Sequence, residues 1–255
     1  MNRHGAFFIE QLRRELSGGY RDSGYLWIVF QALLLLAVYS FVFTRIFQAR
    51  VPPGLEVSFV AYLAVAWWPW SALSEGISRN VPVIGEHRGL ISKVAVRREL
   101  LVAARLMAIF IVQAASYLAV LVVLDWRYGA IHWFGLLPLA VLAVATLPAW
   151  YGAALVIASA AVFIRDLKHL VPPFLLLAFF ATPIVWSPVM LPEKWRLLTD
   201  LNPFAWWVAG LREAMLAGQW PPLGLYASAL ATSAVLVVAG RFVFNRLAPH
   251  FEDYL

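Results

Sequence analysis

WFGLLPLAVLAVATLPAWYGAALVIASAAVFI, residues 133–164, runs for 32 residues without a charged side chain. As a helix it would be roughly 48 Å long, and about 20 apolar residues already suffice to cross the hydrocarbon core of a bilayer. Pro138 and Pro148 lie inside it, so the run is expected to protrude, tilt or kink. Further uncharged runs flank it on both sides, at 23–44, 57–74, 106–124, 170–192 and 214–240. One such run would be ambiguous, but this series predicts an all-α membrane protein with six transmembrane helices, at about 23–47, 57–81, 103–124, 133–164, 170–190 and 221–245. Between the fifth and sixth lies a shorter apolar stretch, 201–213, opened by Asn202-Pro203 and closed by Arg212 and Glu213. It is too short to cross, and is expected to dip in and return or to lie at the interface before the last span.

Composition agrees. Hydrophobic residues make up 62% of the chain and charged ones 13%, against about a quarter charged in soluble domains. No linker or low-complexity tract divides residues 1–255, which read as a single transmembrane domain. Cysteine is absent, which excludes a disulfide framework, a thiolate metal site and a Cys nucleophile. The first apolar run is too long for a signal-peptide core and lacks a small-residue cleavage site, so it is expected to remain as a span.

The net charge of +6 reports topology rather than a nucleic-acid partner. Of the 20 Lys and Arg residues, fourteen fall in the N-terminal tail, the second-to-third and fourth-to-fifth connections and the C-terminus. The other six are Arg45, Arg50, Arg127, Lys194, Arg196 and Arg212. Both termini are therefore expected on the cytoplasmic side of a bacterial inner membrane. Residues 1–22 contain an amphipathic segment, with Phe8, Ile9, Leu12 and Leu16 on one arc, Glu10, Gln11, Arg13 and Arg14 opposite, and Phe7 off the pattern. Such a helix is expected in the interface of the cytoplasmic leaflet, where Arg13, Arg14 and Arg21 suit anionic headgroups or a pyrophosphate. Plain anchoring to membrane lipid explains the same residues equally well.

The chemistry of the chain is sparse. Its histidines, His4, His87, His132, His169 and His250, lack metal-ligand spacing. The only lysines, Lys93, Lys168 and Lys194, follow Ser92, Leu167 and Glu193, so no Gly-Lys-Ser/Thr phosphate loop exists and the chain is not expected to be an ATPase or another enzyme. A proton- or sodium-coupled carrier would be expected to hold acidic residues near mid-membrane, and only Glu75 is a candidate. Aromatic residues are instead abundant. Phe59, Tyr62, Ala66, Trp70, Leu73 and Ile77 share one face of the second span, with Trp67 at its edge and Trp68 opposite. Such a face can be a sliding surface for sugar rings or a packing surface between helices, and the spacing fits both.

Four stretches carry a family resemblance. NVPVIGEHRGLISKVAVRRELL (80–101) resembles the cytoplasmic coupling segment of ABC transporter permeases that export polysaccharides such as O-antigen. VFIRDLKHLVPPFLLLAFFATPIVWSPVMLP (162–192) resembles their Arg-Asp-Leu turn and Thr-Pro-Ile helix, LNPFAWWVAGLRE (201–213) their Asn-Pro re-entrant element, and YRDSGYLWIVF (20–30) their entry into the first span. The chain departs from the pattern at Val96-Arg97, where a Pro is common, and at Leu26, where a Gly often precedes the Trp.

The resemblance implies half of a transporter: a homodimer of this chain driven by two copies of a separate ATP-binding subunit, which would carry ATP and Mg, while this chain itself holds no cofactor or metal. It implies a coupling helix with Leu90 and Ile91 as apolar plugs and Glu86, Arg88 and Lys93 as polar contacts, and a second contact at Arg165 and Asp166. It also implies a lipid-linked polysaccharide as cargo, an aromatic pathway at Phe59, Tyr62, Trp67 and Trp70, and an outer, periplasmic gate at Asn202, Pro203, Trp206 and Arg212. Capsular or teichoic-acid polymers and small-molecule efflux are the neighbouring readings. A membrane enzyme acting on lipid-linked sugars, or a channel working without ATP, belongs to different classes; the former would need an Asp, Glu or His cluster facing one leaflet.

Overall fold

A computed structural model describes residues 3–19, 25–47, 57–91 and 97–254. Among the described residues all regular structure is helical. The helices are α1 (Arg3–Gly19), α2 (Tyr25–Phe41, continued by a π-helical turn Val42–Ile46), α3 (Phe59–Asn80), α4 (Val83–Glu86), α5 (Arg88–Ile91) and α6 (Glu99–Tyr128). They continue with α7 (Leu136–Phe163), α8 (Leu167–Ala181), α9 (Glu193–Asp200), α10 (Pro203–Leu216), α11 (Leu223–Leu247) and α12 (Phe251–Tyr254). Arg21 and Lys93 lie outside the described residues.

Among the described residues, four helical stretches are long and apolar enough to cross a membrane: Val29–Ile46, Glu99–Tyr128, Trp133–Phe163 and Leu223–Tyr254. Of the other two expected spans, α3 has the length but carries Trp67, Trp68, Trp70, Glu75 and Arg79. The other, α8, is apolar but only 15 residues long. It stops at Ala181, well before the expected 190, because Thr182 precedes Pro183 and takes an extended conformation, φ −98° and ψ 139°. Trp27, Phe30, Leu34, Val38 and Phe41 of α2, Phe174 and Leu177 of α8 and Val235, Val238 and Phe242 of α11 are exposed. Apolar surface on this scale suits hydrocarbon, not water.

Helix α3 is the hub. Ser58 caps it by accepting the Ala61 N–H at 3.1 Å, and α6, α7, α8 and α10 surround it, so that its side chains are buried on nearly every side. Pro69 removes the N–H that the Val65 carbonyl would receive, and the Tyr117 hydroxyl of α6 donates to that carbonyl at 3.1 Å. At its far end α6 closes on Gly129, whose φ of +58° favours glycine and whose N–H reaches the Asp125 carbonyl. The Asp125 carboxylate then accepts from the Trp133 indole at 2.7 Å and the Ile131 N–H at 3.4 Å, turning the chain into α7.

Helices α7 and α11 form the most intimate pair, through small residues. A Cβ on Gly152 would lie 2.2 Å from the Leu236 carbonyl oxygen, and one on Gly240 would lie 2.3 Å from the Gly152 carbonyl oxygen. The Ser233 hydroxyl donates to the Ala145 carbonyl across the same seam. Substituting Gly152 or Gly240 with valine forces the backbones apart and is expected to cost about 2–3 kcal/mol. Thermal unfolding of the detergent-solubilised chain measures this, and an unshifted midpoint for Gly240→Val would contradict the close approach.

Candidate functional site

The two ends of the bundle are built differently. At one end gather α1, α4 and α5, the N-terminus of α6, the α7–α8 turn and the C-terminus. Short helices α4 and α5 follow α3 without leaving the bundle, because Val83 and Ile84 are fully buried. His87 separates them, its Nδ1 bonded to the Val83 carbonyl at 2.9 Å and its Nε2 to Gln11 of α1 at 2.7 Å.

Arg105, buried on α6, organises this end. It donates to both Glu15 oxygens at 2.8 to 3.1 Å, to Glu86 at 2.6 Å and to the Arg79 carbonyl at 3.1 Å. Glu15 is equally buried, so α1 turns Gln11 and Glu15 inward toward α6 and leaves Arg13 and Arg14 exposed. Arg14 pairs with Glu10 at 3.1 Å on the surface, a contact worth little in water. Glu75, the acidic candidate of α3, pairs with Arg79 at 3.1 Å and accepts from Gln113 of α6.

The residues expected to contact an ATP-binding subunit separate into two groups. Glu86, Arg88 and Arg165 come together around a groove of about 420 Å³ between the α4–α5 segment and the end of α7, which Lys168 and Tyr254 also line. Asp166 is exposed beside Arg165 in the turn. Leu90 lies elsewhere: half-buried, it faces a polar cleft toward α1 lined by Arg14, Glu15 and Arg105. Ile91 ends α5.

Phe59, Tyr62 and Trp70 are buried within the chain and Trp67 is half-buried. Trp67 meets Tyr39 and Phe179 edge-on, at 4.7 and 4.9 Å between ring centroids, and Trp70 meets Phe204 at 5.3 Å. In a single chain these rings form an interior layer linking α2, α3, α8 and α10.

At the opposite end, α10 is fastened to the break after α8. Asn202 caps α10 by accepting the Phe204 N–H at 2.9 Å, with Pro203 at the first helical position, while its amide donates to the Ala181 carbonyl at 3.1 Å. The Arg212 guanidinium donates to the carbonyls of Pro183 and Ile184 at 2.7 Å each and of Tyr62 at 3.3 Å, and lies 3.5 Å from the Tyr62 ring centroid. The Pro183 and Ile184 carbonyls lie just past the end of α8, where the Thr182-Pro183 interruption leaves them without helical partners. Trp206 points partly outward.

Sequence reasoning placed Asn202, Pro203 and Arg212 in one element but supplied neither their partners nor the roles of Glu15, Gln11 and Arg105. A signal for Arg105 existed: it is an arginine embedded among apolar residues of a spanning helix, where a charge is costly unless paired. Arg212→Ala leaves the Pro183 and Ile184 carbonyls without a donor and is expected to cost about 3 kcal/mol, and lysine, lacking the planar fork, restores only part of it. Equal melting temperatures for the alanine variant and the parent would contradict this arrangement.

These features define a class. Residues 8–216 match the ABC-2 type transporter family, so the chain belongs to this family of transporter membrane subunits. The absence of a phosphate loop from its sequence accords with a transport subunit that has no ATPase domain. The chain is 25% identical to an "O-antigen export system permease protein RfbA" of Klebsiella pneumoniae over 95% of its length and 92% of the relative's. It is 24% identical to a protein of the same description from Myxococcus xanthus, over 96% of its length and 94% of the relative's.

Proposed function

We propose that this chain is the permease subunit of an ABC exporter that moves a lipid-linked, O-antigen-like polysaccharide across the bacterial inner membrane. A separate ATP-binding subunit supplies the energy, and two copies of each chain form the complex. The observation that carries this reading is the groove where Glu86 and Arg88 meet Arg165. Segments far apart in sequence converge there on one exposed, positively charged face, on a membrane chain without a Gly-Lys-Ser/Thr phosphate loop. Near full-length similarity to O-antigen permeases favours a polysaccharide over small-molecule efflux.

Six passes remain the reading that fits the geometry. Helices α2, α3, α6, α7, α8 and α11 alternate in direction between the two ends, with α10 re-entrant and fixed at the end away from the groove. Contacts of Glu15 with Arg105 and of Arg98 with Glu252 bring both terminal segments to the groove's end. The excess of Lys and Arg at that end makes it the cytoplasmic one. The Asn202–Arg212 element would then stand at the outer exit of the glycan path, with Trp67 the accessible member of the aromatic layer that leads to it.

Two experiments test this. The chain has no cysteine, so single cysteines report topology without background. Lys168→Cys is expected to resist a membrane-impermeant maleimide in intact cells while Trp126→Cys and Trp220→Cys react, and the reverse pattern would overturn the orientation. The double variant Arg88→Glu/Arg165→Glu changes two exposed side chains and is expected to insert normally. It should nevertheless lose ATP-dependent export and retention of the ATP-binding subunit by about tenfold or more. Undiminished export would remove the coupling assignment.

A further inference from the structure

The last residues of the chain are built into the groove's end of the bundle. After α11 a 3-10 turn, Ala248–His250, leads into α12, whose Phe251 is fully buried. Its ring packs on Phe163 at the end of α7 and on Phe244 of α11, with centroids 6.2 and 5.5 Å apart. Tyr254 stands edge-on to Phe163 at 4.8 Å. On the other side Arg98, at the foot of α6, donates to the Ala248 carbonyl at 2.5 Å and pairs with Glu252. The terminal turn thus joins the foot of α6, where the chain returns from the coupling segment, to the end of α7, where the Arg165–Asp166 turn begins.

A fully buried phenylalanine and a charge pair spanning 154 residues of sequence fix this turn in place. Tyr254, more than half exposed, forms a wall of the groove together with Arg88, Arg165 and Lys168. Glu86 is the one acid that faces these cations in the groove, and it is already paired with Arg105. Among the described residues Arg165 and Lys168 have no ion-pair partner. Val81, Pro82, Ala161 and Val162 supply apolar floor. The chemistry that fits is a protein segment bearing Asp or Glu beside an apolar side chain.

We propose that residues 248–254 are a clasp that holds the two coupling segments in register and supplies Tyr254 as a wall of the docking groove, which receives an acidic surface of the ATP-binding subunit. The proposal rests on the groove being the ATPase-coupling face. The clasp explains why Arg98 and Phe163, which themselves stand back from the groove, are tied to the same short turn.

The test uses the full chain co-expressed with its ATP-binding subunit, and reads subunit retained per permease and ATP turnover of the complex. Tyr254→Glu is expected to retain about tenfold less subunit than Tyr254→Lys, because both remove the ring but only one repels an acid. Phe251→Ala and removal of 251–255 are expected to lower retention and turnover together, with Phe251→Leu restoring most of both. Equal retention by the Tyr254→Glu and Tyr254→Lys variants would overturn the acidic partner, and parental retention after removal of 251–255 would overturn the clasp. A change confined to bound anionic lipid, with subunit retention intact, would also overturn the proposal. Arg88→Glu/Arg165→Glu separates the two levels. If it keeps the subunit, the coupling face itself is wrong; if it releases the subunit while the Tyr254 and Phe251 variants bind normally, only the clasp fails.

Discussion

Within a hydrocarbon layer no water completes a broken helix, so every interruption must find its hydrogen-bond partner inside the protein. Two of the interruptions described above show how. Pro69 frees the Val65 carbonyl, and Tyr117 takes it. Thr182-Pro183 ends α8 early, and Asn202 and Arg212 take the carbonyls of Ala181, Pro183 and Ile184. The partners come from different helices, so each repair also joins elements: α6 to α3, and α10 to both α8 and α3. This end of the bundle is held together by the same bonds that satisfy its backbone.

The opposite end is held by charge. Arg105 alone would be costly to bury, and so would Glu15, but together with Glu86 and the Arg79 carbonyl they fill one another's hydrogen-bonding capacity. The arrangement joins α1, α3, α4 and α6 through one guanidinium. Because α1 also presents Phe8, Leu12 and Leu16 along the arc next to its protein-facing side, a helix readable as a simple surface anchor is tied to the segment that borders the groove. Displacement of that segment would be felt by α1, and the converse.

Much of this architecture was legible from residue types. Runs without charge marked the helices to within a few residues, since a charge left in hydrocarbon is too costly to be tolerated by chance. Asn202-Pro203 marked the start of α10 because Asn caps and Pro suits the first turn. The end of α8 was less legible, because the apolar run continues past Ala181 and only the Thr-Pro dipeptide signals the break. Gln11 read as a member of the polar face and Glu15 did not stand out at all, since periodicity separates polar from apolar but does not say which polar residue meets a partner.

By itself the sequence determined that the chain is helical and apolar enough for a membrane, roughly where most of its long helices lie, and that it carries no phosphate loop. Those properties follow from local content: hydropathy, caps, prolines and the absence of a phosphate loop. Only the tertiary structure decided that Arg212 fastens the break after α8, that Arg105 binds α1 to the α4–α5 segment, and that Phe251 packs on Phe163 and sets Tyr254 beside Arg165. Those contacts join residues separated by scores of positions, and no local pattern encodes which distant carbonyl or carboxylate a buried guanidinium will meet.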